Sequence, residues 1–138
     1  MKVMLEIETV NEDGEKSLSK NEACMELVED EKAYRVMYTE NIYEDEAAPS
    51  ESELVISKNN MRMIRRGSVA SNFLYEKGTF HQSMYETQYG SFPIAVETTH
   101  YEMKKVADCH IEARATYKLI TQPDSPMLMD VIIRLRPV

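Results

Sequence analysis

Apolar and polar side chains alternate along most of the chain, and the alternation is broken at short intervals by turn residues. Val3, Leu5 and Ile7 alternate with Met4, Glu6 and Glu8, and the polar run "NEDGEK" then places a turn around Gly14. Ala23, Met25 and Leu27 form a second run, ended by "EDEK"; Tyr34, Val36 and Tyr38 form a third. "EDEAAPSES" reads as a loop, because Pro49 removes a ladder donor. Leu54 and Ile56 open a fourth run, and "KNN" turns the chain into Met61. Beyond a turn at Lys77-Gly78 come Thr79 to Tyr89, then "YGSFP", then Ile94, Val96 and Thr98 running on toward Met103. Ala113, Ala115, Tyr117 and Leu119 alternate with charged and hydroxyl residues, and "TQPDSP" leads into Met129, Val131, Ile133 and Leu135. Period-two patterning with turn signals between runs is the signature of half-buried strands. Only "SLSKNEACMELVEDEKAY" also admits a helix, at Cys24 to Val28. The pattern predicts an all-β chain of eight to ten strands in a sandwich or barrel, the barrel removing exposed edges.

One residue stands against this pattern. In "MRMIRRGSVASNFLYEKGT", Met61 to Thr79, Arg65 shares the parity of Met61, Met63 and Val69, the parity a strand turns toward a core. Gly67, one of four glycines, is the bend that lets a long strand wrap around a barrel. Carrying strand parity through the later turns puts His81, Ser83, Tyr85, Thr98, His100 and Tyr117 on the same inner face as Arg65. Ala113 and Ala115 opposite are small enough to leave room. Arg65 admits two readings: first a plug, with the arginine satisfied by the protein itself in a barrel filled by side chains. The other is an interior site for a small anionic molecule, because a guanidinium fork grips a carboxylate or phosphate through two parallel hydrogen bonds.

The same residues carry a resemblance. Met63-Ile64-Arg65-Arg66-Gly67-Ser68-Val69, then Phe73-Leu74-Tyr75-Glu76, Tyr85-Glu86-Thr87-Gln88-Tyr89-Gly90, Val96-Glu97-Thr98 and Tyr117-Lys118-Leu119 resemble, in order and spacing, the YwiB-like family of uncharacterised bacterial proteins. The likeness spans residues 54–135 and extends to the first 45 by strand pattern alone. It implies a single calycin-like, lipocalin-type antiparallel barrel over residues 1–138, in a bacterial cytoplasm, with no catalytic residue to carry over. Lipocalins place a Trp near the first strand beneath an Arg of the last; this chain has no Trp, although Arg134 and Arg136 sit in its last run.

Composition narrows the function classes. The chain has 138 residues, 43% hydrophobic and 29% charged, which is enough for one core. Its net charge of −8 divides into −10 over residues 1–58 and +2 over residues 59–138. Acidic chains without clustered Lys and Arg repel phosphate backbones, so nucleic acid is not an expected partner. The asymmetry instead predicts acidic and basic strands side by side in one sheet. No apolar run reaches the length of a membrane span. "MKVMLEIETV" lacks the pattern of a signal peptide, so Cys24 and Cys109 read as reduced thiols. His81, His100, His110 and Cys109 have no metal-ligand spacing, and no GxSxG elbow or cofactor-binding pattern is present. The expectation is a non-enzymatic binding or interaction protein without a cofactor. Two alternatives remain: an enzyme using the interior Arg, His and Tyr groups, and a filled barrel acting as a protein-interaction module.

Overall fold

The computed structural model describes residues 1–28, 32–40, 50–107 and 110–138. The expected turn at 29–31, the loop containing Pro49, and Cys109 lie outside the described residues. Ten strands follow one another: β1 Lys2–Asn11, β2 Lys16–Val28, β3 Ala33–Glu40, β4 Ser50–Ser57, β5 Asn60–Arg66, β6 Ser71–Glu76, β7 Phe80–Thr87, β8 Gly90–Ala107, β9 His110–Ile120 and β10 Met127–Pro137. Cys24 to Val28, the stretch that also admitted a helix, belongs to β2. The strands form one sheet in the order β6-β5-β4-β3-β2-β1-β10-β9-β8-β7, every neighbouring pair antiparallel. Strands adjacent in sequence are adjacent in space, and the chain termini meet at the β1–β10 seam. The two outermost strands, β6 and β7, are themselves joined by the turn at Lys77-Gly78, where Gly78 has φ +84°. The sheet therefore curls into a nearly closed barrel. At the far end of that junction a single bridge, Ala70 to Glu86, exchanges two backbone hydrogen bonds of 2.9 Å.

Gly67 does not bend one long strand. With φ +120° it opens the connection between β5 and β6, which pair antiparallel with Arg65 opposite Ser71. A left-handed backbone is open to glycine without the Cβ clash that other residues meet.

Alternation sends one side chain in two into the barrel. Val3, Leu5, Val36, Leu54, Ile56, Met61, Tyr75, Val96, Ile111, Ala115, Val131, Ile133 and Leu135 are buried in one continuous core. The outer face holds the charges, and their arrangement answers the asymmetry in the sequence. Lys104, Glu112, Arg134, Glu6 and Lys20 lie opposite one another across β8, β9, β10, β1 and β2, forming a row of alternating sign. Glu6 meets Arg134 at 3.7 Å, Lys20 at 3.8 Å and Arg136 at 3.9 Å, and Glu8 meets Arg134 at 3.4 Å. Opposite charges facing across strands stabilise a sheet, whereas like charges destabilise it. The acidic beginning of the chain thus lies against its basic end. No helix among the described residues is long and apolar enough to cross a membrane.

Candidate functional site

A meander of antiparallel strands puts alternate connections at opposite ends. Arg65 lies at the end that carries the β5–β6 and β7–β8 connections, and the register explains its company. Tyr38 of β3 faces Ser52 of β4, Ser52 faces Arg65 of β5, and Arg65 faces Ser71 of β6. These four inward positions form one polar layer across four adjacent strands. Tyr38, Ser52 and Ser71 are buried, and Arg65 is half-buried at the mouth. Tyr38, Ser52 and Arg65 are each engaged in polar or electrostatic interactions.

Below this layer the barrel is filled with rings. Tyr75 and Tyr117 approach edge to face, with centroids 4.9 Å apart. Burial pushes both phenols up, Tyr75 well above its ordinary value. The two phenols share a hydrogen bond. The Arg65 charge draws both phenols down, which places the guanidinium within electrostatic reach of the pair. At the opposite end, the Tyr101 hydroxyl donates to the Ser57 carbonyl at 2.7 Å. Burial raises that phenol as well.

Of the residues expected on the inner face, six are there. Arg65, His81, Ser83, Tyr85, Thr98 and Tyr117 all point inward: His81, Ser83 and Tyr85 are half-buried, and Thr98 and Tyr117 are buried. Thr98 faces Tyr117 across β8 and β9. The Tyr85 ring stacks on Phe73 at 6.4 Å and an interplanar angle of 13°. Burial, followed by the nearby Arg62 charge, lowers the His81 imidazole.

His100 is a correction. It stands on the outer face with its side chain 53% exposed, its Nε2 3.8 Å from Glu102. The register shifts by one residue between Thr98 and His100, and this bulge reverses the parity of β8. Tyr101 and Met103 take the inward positions instead.

Four buried polar atoms on these strands have no hydrogen-bond partner: Ser71 Oγ on β6, His81 Nδ1 and Ser83 Oγ on β7, and Thr98 Oγ1 on β8. The first three lie on the two strands that border a break in the wall. Among the described residues, β6 and β7 are joined by the Ala70–Glu86 bridge and the turn bond from Thr79 N–H to the Glu76 carbonyl, with no ladder along Ser71–Glu76 and Phe80–Tyr85. Ser71, Phe73, Tyr38 and Ser52 were not expected in the site. Their signal is the cross-strand register with Arg65, which strand parity alone does not carry.

Two open volumes lie elsewhere. A groove of about 730 Å³ runs along the outer side of β7, β8 and the β9–β10 connection, lined by Phe80, Met84, Pro93, Ala95, Ile120 and Pro123, with Ser83 between its outward neighbours. A second, polar depression of about 230 Å³ overlies the charged row at Glu102, Lys104, Glu112, Arg114 and Arg134. Neither is lined by Arg65. Among the described residues no three His, Cys, Asp or Glu side chains gather as a metal site. Cys24 is exposed and free.

Ten antiparallel strands with a polar mouth and an aromatic interior make up a nearly closed antiparallel barrel. The chain belongs to the family described as a domain of unknown function, DUF1934, whose model matches residues 4–131. Its fold is that of the ywiB protein from Bacillus subtilis, with a TM-score of 0.80 at 14% identity over 99% of this chain and 92% of that one. The S-type phycobiliprotein lyase CPES from Guillardia theta aligns with a TM-score of 0.42 at 10% identity, over 99% of this chain and 86% of that one. No curated protein matches the sequence.

Proposed function

We propose that the protein is a non-enzymatic, cytoplasmic binding protein that takes a small anionic molecule at the barrel mouth beside Arg65. The observation that carries this reading is the Ser71 hydroxyl, buried, unpartnered and directly opposite Arg65 across β5 and β6. Buried polar groups in native proteins are nearly always paired, so an unpaired one facing a guanidinium is a place for a ligand's atom. Arg65 supplies the positive charge, and its half-burial leaves it within reach of solvent.

The test is thermal unfolding of the wild type and Arg65→Met with inorganic phosphate, acetate and succinate. A ligand that binds only the folded state raises Tm by mass action. The expected result is a concentration-dependent rise in the wild type that the variant lacks. If Arg65→Met costs about 3–5 kcal/mol, as loss of a buried pair does, and no anion shifts the wild type, Arg65 is a plug and the reading fails.

The outer groove favours a second reading, an apolar contact surface. About 730 Å³ is in the range of ligand pockets, and Phe80 and Met84 are each about half exposed in its lining. Met84→Glu would abolish binding of an apolar dye there while leaving the anion response at Arg65 intact.

A further inference from the structure

The break between β6 and β7 is spanned by a ring pair rather than a ladder. Phe73 of β6 and Tyr85 of β7 lie almost parallel, at 13°, with centroids 6.4 Å apart. Phe73 is buried and Tyr85 half-buried, so one face of the stack is set in the core and the other is accessible. Ser71 precedes Phe73 by two residues on the same inward face; its hydroxyl is buried, unpartnered and directly opposite Arg65 in register. An aromatic platform and a polar, positively charged position therefore stand side by side. Two residues along a strand separate them by about 7 Å.

We infer that the anionic ligand is a planar aromatic carboxylate, its ring joining the Phe73–Tyr85 stack and its carboxylate meeting Arg65 and Ser71. The inference rests on the anion-binding reading above and adds the shape of the ligand. Aromatic rings stack in offset parallel geometry at the separation seen here. A guanidinium holds a carboxylate bidentately in a fixed plane, and the Ser71 hydroxyl donates to the remaining lone pair. A flexible aliphatic acid satisfies Arg65 equally but gains nothing from the parallel rings. No backbone ladder has to break for a flat molecule to enter between Ser71–Glu76 and Phe80–Tyr85.

The probes are 2-naphthoate, decanoate and 2-naphthalenemethanol, titrated calorimetrically into the full chain and into Tyr85→Leu and Arg65→Met. 2-Naphthoate should bind about ten-fold more tightly than decanoate, the scale of one aromatic stacking contact. Tyr85→Leu should remove that advantage and leave decanoate unchanged, and Arg65→Met should weaken both acids. A wild-type measurement keeps the test independent of how the variants fold. The chain has three phenylalanines, and in aromatic NMR spectra 2-naphthoate should shift Phe73 and leave Phe80 in place. Equal affinity for the two acids, or a shift of Phe80 in place of Phe73, overturns the aromatic inference while the anion reading stands. Binding of 2-naphthalenemethanol as tight as that of 2-naphthoate also overturns it, because the carboxylate then contributes nothing. Absence of binding by both acids overturns the inference and the reading together.

Discussion

Tyr75 and Tyr117 hydrogen-bond through their phenols across the barrel, and the two rings meet edge to face at 4.9 Å. One phenol comes from β6 and the other from β9, so the bond spans the interior and sets the floor beneath Arg65. Either hydroxyl can donate, so Tyr75→Phe and Tyr117→Phe each remove the bond and should each cost about 1–3 kcal/mol. Urea unfolding of both variants measures the losses; two neutral variants would show that the bond contributes nothing to stability.

Thr98 is buried with an unpartnered hydroxyl, facing Tyr117. Thr98→Val keeps the shape and deletes the unsatisfied group, so the ligand-free protein should gain about 1 kcal/mol. A destabilised Thr98→Val would show that the hydroxyl already has a partner in the protein.

The charged row makes a salt-dependent prediction. Arg134 stands between Glu112 and Glu6, so Arg134→Glu places three acids in succession across β9, β10 and β1. The loss should be about 1–2 kcal/mol at low ionic strength, from repulsion at two cross-strand pairs and removal of the Glu8 contact. Raising salt to 1 M should recover most of it, because the Debye length falls to about 3 Å. A loss unaffected by salt would mean packing, not charge, is responsible.

Core and surface of β10 should separate cleanly. Ile133 is fully buried, and Ile133→Ala should cost about 2–5 kcal/mol in lost transfer energy and cavity. Ile132 points outward and is half-buried, and Ile132→Thr should change stability by about 0.5 kcal/mol. Chemical denaturation distinguishes them; comparable losses would require a second layer over the outer face.

His81 predicts a pH dependence. Burial and the Arg62 charge lower its folded pKa, so below about pH 6.5 the unfolded chain binds a proton that the folded protein resists. Stability is therefore lost as pH falls through that value. His81→Gln should lose less than the wild type between pH 7.5 and 5.5. Parallel curves would remove His81 from the cause.

The strands and the family were legible in the sequence by itself, because strand parity is local and a half-buried strand must alternate. The inward direction of Arg65, Ser83, Tyr85, Thr98 and Tyr117 follows from that period alone. Even the charge asymmetry was readable as strands lying side by side. Tertiary structure decided the rest. A single inserted residue after Thr98 turned His100 outward, and a bulge leaves no mark in hydrophobic period until the partner strand is known. The layer of Tyr38, Ser52, Arg65 and Ser71 depends on register across four strands, which pairing energies over the whole sheet set. The break between β6 and β7 depends on barrel closure, a property no segment possesses alone.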